Sequence, residues 1–442
     1  MNSTALKMGA HAPLPALRSC PSKLFVEVTT HCNLRCAMCI KHAPGRAIAE
    51  GNLSQELFDR LTPAFPHLDA LILNGIGEPL LHPQLERFIE VGRQNLPAHG
   101  WVGFQTNGQL LERERARSLV RAGVDRVCIS ADAVSPELFR TLRAGGKQEA
   151  VEAAAAALHG AARECHRDVS IGVEFVAMRD NVKQLPELVR WAARNRVDFV
   201  IVTHMVPYRE QAVGDAAYET NTDRALQLAQ SWRRRAAAEG VDLDRYFQLF
   251  MRFHLSPSDQ RVVDTVNAMV AEASAQGISV NLRRLLGHDE AMLQGVREAF
   301  AEAEEVARRE GIDLRLPAVV PTRERRCEFV ESGGAFVSWN GDMRPCYFLW
   351  HRYHTYLGGA MKQVAPKTFG NLREQGLLAI WNGADWRRFR EKVLGYDFPF
   401  CYDCNVSLCD YVDSGDFTQD CHVSAVPCGA CLWCTGLFQC LQ

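Results

Sequence analysis

Six β-rich runs recur along the first half of the chain: Leu24–Thr29, Leu68–Asn74, Trp101–Gln105, Asp125–Ser130, Val169–Val176 and Asp198–Val202. A helix-like stretch separates each run from the next, and this order constrains the fold more than any other feature. Strands joined by long crossovers run parallel and need helices on the outside of their sheet. Six such units predict an α/β barrel or partial barrel. Intervening helices are expected at Gln55–Thr62, capped by Ser54, and at Pro83–Gln94, Glu112–Ala122 and Leu185–Asn195. From about Pro207 to Pro321 the sequence turns Ala-, Glu- and Arg-rich and helical, broken by two short β-like runs, Ile278–Leu282 and Ile312–Leu316, which follow Gly277 and Gly311. This reads as an insertion followed by the barrel's last strand.

Cysteine is unevenly used. Of 16 cysteines, ten lie from Cys327 onward. Met1 to Ser22 has only scattered Lys7 and Arg18 and no continuous apolar core, so no signal or transit peptide is expected, and no later stretch reaches the ~18 apolar residues of a membrane helix. A cytoplasmic location follows, where clustered cysteines argue for metal or iron–sulfur ligation rather than disulfides, with structural zinc as the alternative. Lys+Arg 50 against Asp+Glu 52 gives net charge −2, which provides no basic field for nucleic acid. Neither nucleic acid nor membrane is an expected partner.

Just after the first predicted strand comes Cys32-Asn33-Leu34-Arg35-Cys36-Ala37-Met38-Cys39. Three thiolates on one short loop can take three corners of a cubane [4Fe–4S] cluster and leave one iron open. A zinc ion borrowing His31 or His42 is the alternative. The second strand runs into Gly75-Ile76-Gly77-Glu78-Pro79 at its C-terminal end, where α/β barrels place their chemistry. Glycines there let backbone approach a ligand, and Glu78 can accept hydrogen bonds from an ammonium group. The third strand ends in Gln105-Thr106-Asn107-Gly108 and the fourth in Ser130-Ala131-Asp132, which are also ordinary turn and cap signals. Glu174, Arg143 and His204 lie near other strand ends and read as structural.

In this order on consecutive strands, the motifs resemble the radical S-adenosylmethionine (radical SAM) superfamily over roughly Leu24 to Val206. Met38 stands where that family commonly has an aromatic residue, and Ile76 splits the glycines of its Gly-Gly-Glu-Pro motif. The resemblance implies a partial (β/α)6 barrel in which Cys32, Cys36 and Cys39 ligate a catalytic [4Fe–4S] cluster. It further implies that Gly77 and Glu78 hold the amino group of S-adenosylmethionine (SAM), with contacts from Asn107, Ser130 and Asp132. An enzyme of oxidoreductase or transferase type is implied, in which an electron from flavodoxin or ferredoxin breaks a sulfonium carbon–sulfur bond and the 5′-deoxyadenosyl radical abstracts hydrogen from substrate.

In the tail, apolar Ala335–Trp339 and the Asn340-Gly341 turn suggest a hairpin carrying Cys327 and Cys346. Cys401, Cys404, Cys409, Cys421, Cys428, Cys431 and Cys440 follow. Their order, with Phe369-Gly370-Asn371-Leu372 and Ile380-Trp381-Asn382, resembles the SPASM extension of radical SAM enzymes. That resemblance implies one or two auxiliary [4Fe–4S] clusters on these nine cysteines. The ending is similar to a subgroup associated with maturation of tungsten-cofactor oxidoreductases, in which Cys434 has no counterpart. Cys434 is read either as a spare buried thiol or as a substrate-facing thiolate. The expected organisation is an extension over 1–22, the barrel core over 23–206, the helical insertion and last strand over 207–326, and a small cysteine-rich SPASM-like domain over 327–442. The short stretch before the first strand favours a small molecule or a protein acceptor over a peptide as substrate. Two alternatives stay open: transfer of the 3-amino-3-carboxypropyl group of SAM to a soft atom such as arsenic, as in arsinothricin biosynthesis, and a non-catalytic iron–sulfur scaffold or electron carrier.

Overall fold

The computed structural model describes residues 14–44, 48–322, 324–357, 361–401 and 417–441. The alternating runs form one sheet. Strands β1 (Lys23–Val26), β2 (Ala70–Ile72), β3 (Trp101–Thr106), β4 (Arg126–Ser130), β5 (Ser170–Ala177), β6 (Phe199–His204) and β7 (Asp313–Arg315) lie side by side in chain order, each neighbouring pair parallel. The expected last strand is thus β7. Its companion run, Ile278–Leu282, is not a strand. The Asn281 side chain accepts from Arg284 N and caps the helix Leu282–Leu286, while Ile278 and Val280 pack with Val262, Val266, Met269 and Leu293 in the insertion's own core. A capping side chain and an apolar helical neighbourhood outweigh β propensity there.

On the far side of β1 the expected hairpin is present as β8 (Gly334–Val337) and β9 (Asp342–Arg344), with β10 (Gly370–Asn371) beyond it. β8 pairs in parallel with β1 from Lys23↔Gly334 to Val26↔Val337. The ten-stranded sheet therefore crosses from the barrel into the cysteine-rich tail without interruption. Cys346 follows β9 directly, but Cys327 stands ahead of the hairpin at the N-terminus of the short helix Glu328–Glu331.

Side chains alternate across each strand, so the sheet has two different faces. Outward, Leu71, Val102, Val127 and Val173 form one core with Phe88, Leu119, Leu158 and Val189 of the covering helices. Ser54 caps the first of these helices through Leu57 N. Inward, Phe25, Ile72, Cys128 and Ile201 meet Tyr347 and Leu441 of the tail, so the tail fills the barrel from inside. Two residues further along the strands the inward positions turn polar: Glu27, Asn74, Gln105, Ser130, Glu174 and Thr203. No helix among the described residues is long and apolar enough to cross a membrane.

Gly172 on β5 lies opposite Phe199 on β6, and a Cβ at Gly172 would overlap that ring. Gly172→Ala should lower stability by about 1–3 kcal/mol through overpacking. Phe199→Leu in the same chain should recover part of that loss, as denaturant melts of the single and double variants would show.

Candidate functional site

Three sets of contacts fix the cysteine loop that follows β1. Arg35–Cys36 pair antiparallel with Arg143–Ala144, which puts Cys36 opposite Arg143, and Ala37 N donates to Leu142 O at 2.9 Å. From the end of β3, Asn107 Nδ2 donates to Asn33 Oδ1 at 2.8 Å. From the end of β2, Glu78 N donates to His31 O at 2.7 Å, and a Cβ on Gly77 would overlap Thr29 O and His31 O. Gly77 is glycine because its backbone lies against the segment that launches the loop.

The three thiols are neighbours: Cys39 feels both Cys32 and Cys36, and Cys36 feels Cys32. Cys32 Sγ accepts from Leu34 N at 3.5 Å, Cys39 Sγ accepts from Lys41 N at 3.4 Å, and Arg143 Nη1 stands 3.9 Å from Cys36 Sγ. Burial pushes all three thiols up, Cys39 to about 12. Such thiols keep their protons until a bound cation displaces them, as metal and cluster ligands do. Three neighbouring thiols on one short loop suit three corners of a cubane, so the loop fits an iron–sulfur cluster.

The other expected residues form a frame around the loop. Glu78 Oε1 accepts from Thr106 Oγ1 at 2.7 Å and Leu80 N at 3.1 Å, and Oε2 accepts from Asn107 N at 2.7 Å. This buried carboxyl ties the ends of β2 and β3 together, and Oε2 has acceptor capacity left. Asp132 Oδ2 accepts from Arg143 Nε at 2.6 Å and Oδ1 accepts from Val176 N at 2.9 Å, so Asp132 reaches the loop through Arg143. Ser130 lies level with Glu174 in the β4–β5 register. Met38 packs with Met178, Met205 and Leu142. Among the histidines, His31 Nδ1 faces Glu50 at 3.5 Å, His42 closes the turn Ile40–His42, and His204 Nε2 bonds Ala318 O at 2.9 Å. Burial pulls His204 down to about 4, so it is a neutral core residue.

Two carboxyls that sequence reasoning undervalued occupy the barrel interior. Glu27, fully buried, accepts from Ile76 N at 3.3 Å and meets His351 Nε2 at 2.9 Å, joining the β2 turn to the tail. Burial pushes Glu174 up to about 7; Gln105 and Arg143 oppose that shift and Asp132 adds to it. A row of bonds runs toward it, from Tyr347 OH to Asn74 Oδ1 at 3.2 Å and from Asn74 Nδ2 to Gln105 Oε1 at 2.9 Å, ending at Gln105 beside Glu174. The available signal was a single Glu inside each apolar strand, Phe25-Val26-Glu27-Val28 and Gly172-Val173-Glu174-Phe175.

In the tail, Cys327, Cys346, Cys428, Cys431 and Cys434 gather in one region, Cys401 lies against Gly429, Cys421 is exposed, and Cys440 stands near Glu174. Cys404 and Cys409 lie outside the described residues.

Residues 26–203 match the model of the radical SAM superfamily, and residues 327–405 match that of SPASM, an iron–sulfur cluster-binding domain. The chain is 29% identical over 425 residues to the tungsten-containing aldehyde ferredoxin oxidoreductase cofactor-modifying protein of Pyrococcus furiosus, covering 94% of this chain and 96% of that one. It is 34% identical over 193 residues to GTP 3',8-cyclase of Caulobacter vibrioides, covering 41% of this chain and 51% of the cyclase. Among solved structures, Streptococcus suis SuiB bound to S-adenosylmethionine aligns at TM-score 0.48 and 14% identity, over 88% of this chain and 71% of SuiB. Native anSMEcpe with bound AdoMet aligns at TM-score 0.46 and 15% identity, over 87% and 86%. The two domains indicate [4Fe–4S] clusters and SAM as cofactors.

Folded Glu174 holds its proton to about 7, against an ordinary value of 4.5. Between these values the folded state binds more protons than the unfolded state, so this group makes stability fall as pH rises. Glu174→Gln should remove that dependence. Melts of the metal-free proteins should show the wild type losing up to about 3 kcal/mol relative to the variant between about pH 4.5 and 7. Parallel curves would mean that the carboxyl titrates normally.

Proposed function

We propose that this chain, with a radical SAM domain followed by a SPASM domain, is a cytoplasmic enzyme that cleaves SAM reductively at a cluster on Cys32, Cys36 and Cys39 to modify a small molecule. The observation that carries the reading is the loop of three neighbouring buried thiols, pinned at the C-terminal ends of parallel strands by Arg143, Asn107 and the Gly77-Glu78 backbone. When bound, the cluster and SAM supply the electron transfer and carbon–sulfur bond cleavage that start radical chemistry. Flavodoxin or ferredoxin fits as the reductant.

The chain's own residues bind, orient and shield. Glu78 Oε2 accepts the SAM ammonium group, with Asn107 and Ser130 beside it. Arg143, held by Asp132, keeps positive charge next to Cys36 and offsets thiolate charge in a buried place. Glu27 fixes Ile76 and with it the turn that positions Glu78. The apolar ring of Met38, Met178 and Met205 keeps water from the loop. The barrel core over 23–206, the insertion over 207–326 and the SPASM-type region over 327–442 divide these tasks. A small-molecule substrate is supported by the Pyrococcus furiosus relative, matched over nearly its whole length and described as modifying a cofactor.

A second reading, transfer of the 3-amino-3-carboxypropyl group of SAM to a soft atom such as arsenic, is favoured by the same three thioethers.

Anaerobic reconstitution should load about 12 iron atoms per chain, and replacing Cys32, Cys36 and Cys39 by Ala should leave about eight and abolish SAM cleavage. The cleavage product then separates the two readings, since 5′-deoxyadenosine supports the first and 5′-methylthioadenosine the second. Stable zinc without iron uptake would exclude both, and full iron with no SAM cleavage would leave an electron carrier. Glu78→Gln should weaken SAM binding by about 1–3 kcal/mol at unchanged iron content, measured by equilibrium binding.

A further inference from the structure

The SPASM match ends at residue 405, before the last run of cysteines. Cys428, Cys431 and Cys434 follow at intervals of three, with tight turns at Cys428–Ala430 and Trp433–Thr435. Backbone bonds dock this stretch against the segment leading to Cys327. Arg326 N donates to Cys434 O at 2.8 Å, Thr322 N to Thr435 O at 2.9 Å and Ala318 N to Gly436 O at 2.7 Å. Cys434 is thereby set beside Cys327, and its thiol also neighbours Cys346, Cys428 and Cys431. Cys428 in turn neighbours both Cys327 and Cys346. The Cys434 side chain is buried, and close to it lies the Arg325 guanidinium, tied to Phe398 O at 2.8 Å and Pro399 O at 2.9 Å.

Cys440 is placed differently. Gln439 N donates to Thr203 Oγ1 at 3.2 Å, Gln439 Nε2 donates to Leu316 O at 2.6 Å, and Leu441 is buried with Phe25, Ile72 and Cys128. The tail thus enters the barrel and carries Cys440 toward Glu174, where it packs in the inward core that Cys327 and Cys346 also border.

We propose that Cys434, whose Sγ donates to Cys431 O at 3.2 Å, is a ligand to an auxiliary iron–sulfur cluster together with Cys327 and two of Cys346, Cys428 and Cys431, and that Cys440 stays outside this cluster as a free thiol. Four neighbouring thiols match the four corners of a cubane. The fifth thiol of the group, with Cys401 against Gly429, is left for a second cluster. The assignment rests on the reading of the tail as a cluster domain and exchanges the roles that sequence order gives to Cys434 and Cys440.

The test uses the full chain with Cys32, Cys36 and Cys39 already replaced by Ala, reconstituted anaerobically with iron and sulfide. In that background, holding about eight iron atoms, Cys327→Ala and Cys434→Ala should each fall to about four, while Cys440→Ala keeps eight. The reduced-state electron paramagnetic resonance spectrum should change alike in the first two and stay unaltered in the third. Cys434→Ser, close in size to the native residue, and circular dichroism melts of the metal-free variants separate a lost ligand from a lost fold. A folded Cys434→Ala or Cys434→Ser chain that keeps all its iron and the parent spectrum overturns the inference. So does loss of about four iron atoms from Cys440→Ala. A background chain that takes up no iron would instead overturn the cluster reading beneath it.

Discussion

Hydrogen bonding along both edges of β1 is the constraint on which the remaining structure depends. Lys23 to Val26 pair with β8 on one side, and Lys23 to Phe25 pair with β2 on the other, with Leu24, Phe25 and Val26 almost wholly buried. Such a strand has no freedom of register, because a slip of one residue would turn Phe25 out of the barrel and Leu24 into it. Everything near the cysteine loop inherits that fixity. Glu27 follows two residues after Phe25 on the same face, and the Thr29–His31 segment presents the carbonyls on which Gly77 and Glu78 rest. The geometry of the loop is set by backbone more than by side-chain packing.

Charge inside the barrel is distributed with the same economy. Asp132 and Arg143 form a buried pair that would be costly to break from either side. Its position gives it a use, since the guanidinium also faces Cys36. Glu27 has His351 as partner, and Glu78 is satisfied by two backbone amides and a hydroxyl. Burial pushes both Glu78 and Glu174 up; at Glu174 the Gln105 amide and Arg143 oppose the shift, and the carboxyl reaches about 7. Glu174 thus stands near the neutral range, in the layer that the tail closes.

Much of the fold was legible from alternation of apolar runs, because parallel strands with covering helices leave that pattern. All six runs and the Ile312–Leu316 strand are present, with ends shifted by a few residues. What alternation could not reveal was long-range pairing. Nothing in the sequence around Gly334–Val337 says that it joins β1 rather than forming a sheet of its own, since both arrangements require the same buried apolar strand. The three loop cysteines were legible from their spacing. The partners of Asp132, the support of the loop by Gly77 and the placing of Cys434 beside Cys327 depend on contacts between distant segments, which spacing does not encode. Ile278–Leu282 misled because a five-residue apolar run has no period long enough to distinguish strand from helix.

The pairing of β1 with β8 also has a consequence for how the chain is made. β1 leaves the ribosome well before β8, so one edge of that strand waits while the barrel grows from its other side. An unpaired edge of apolar residues is open to wrong partners, and closing so long a loop is slow. The tail segment that fills the barrel with Leu441 arrives later still. Assembly of the interior therefore waits for the tail, and the period before it arrives is the interval in which the lumen and its thiols are open to solvent and to metal delivery.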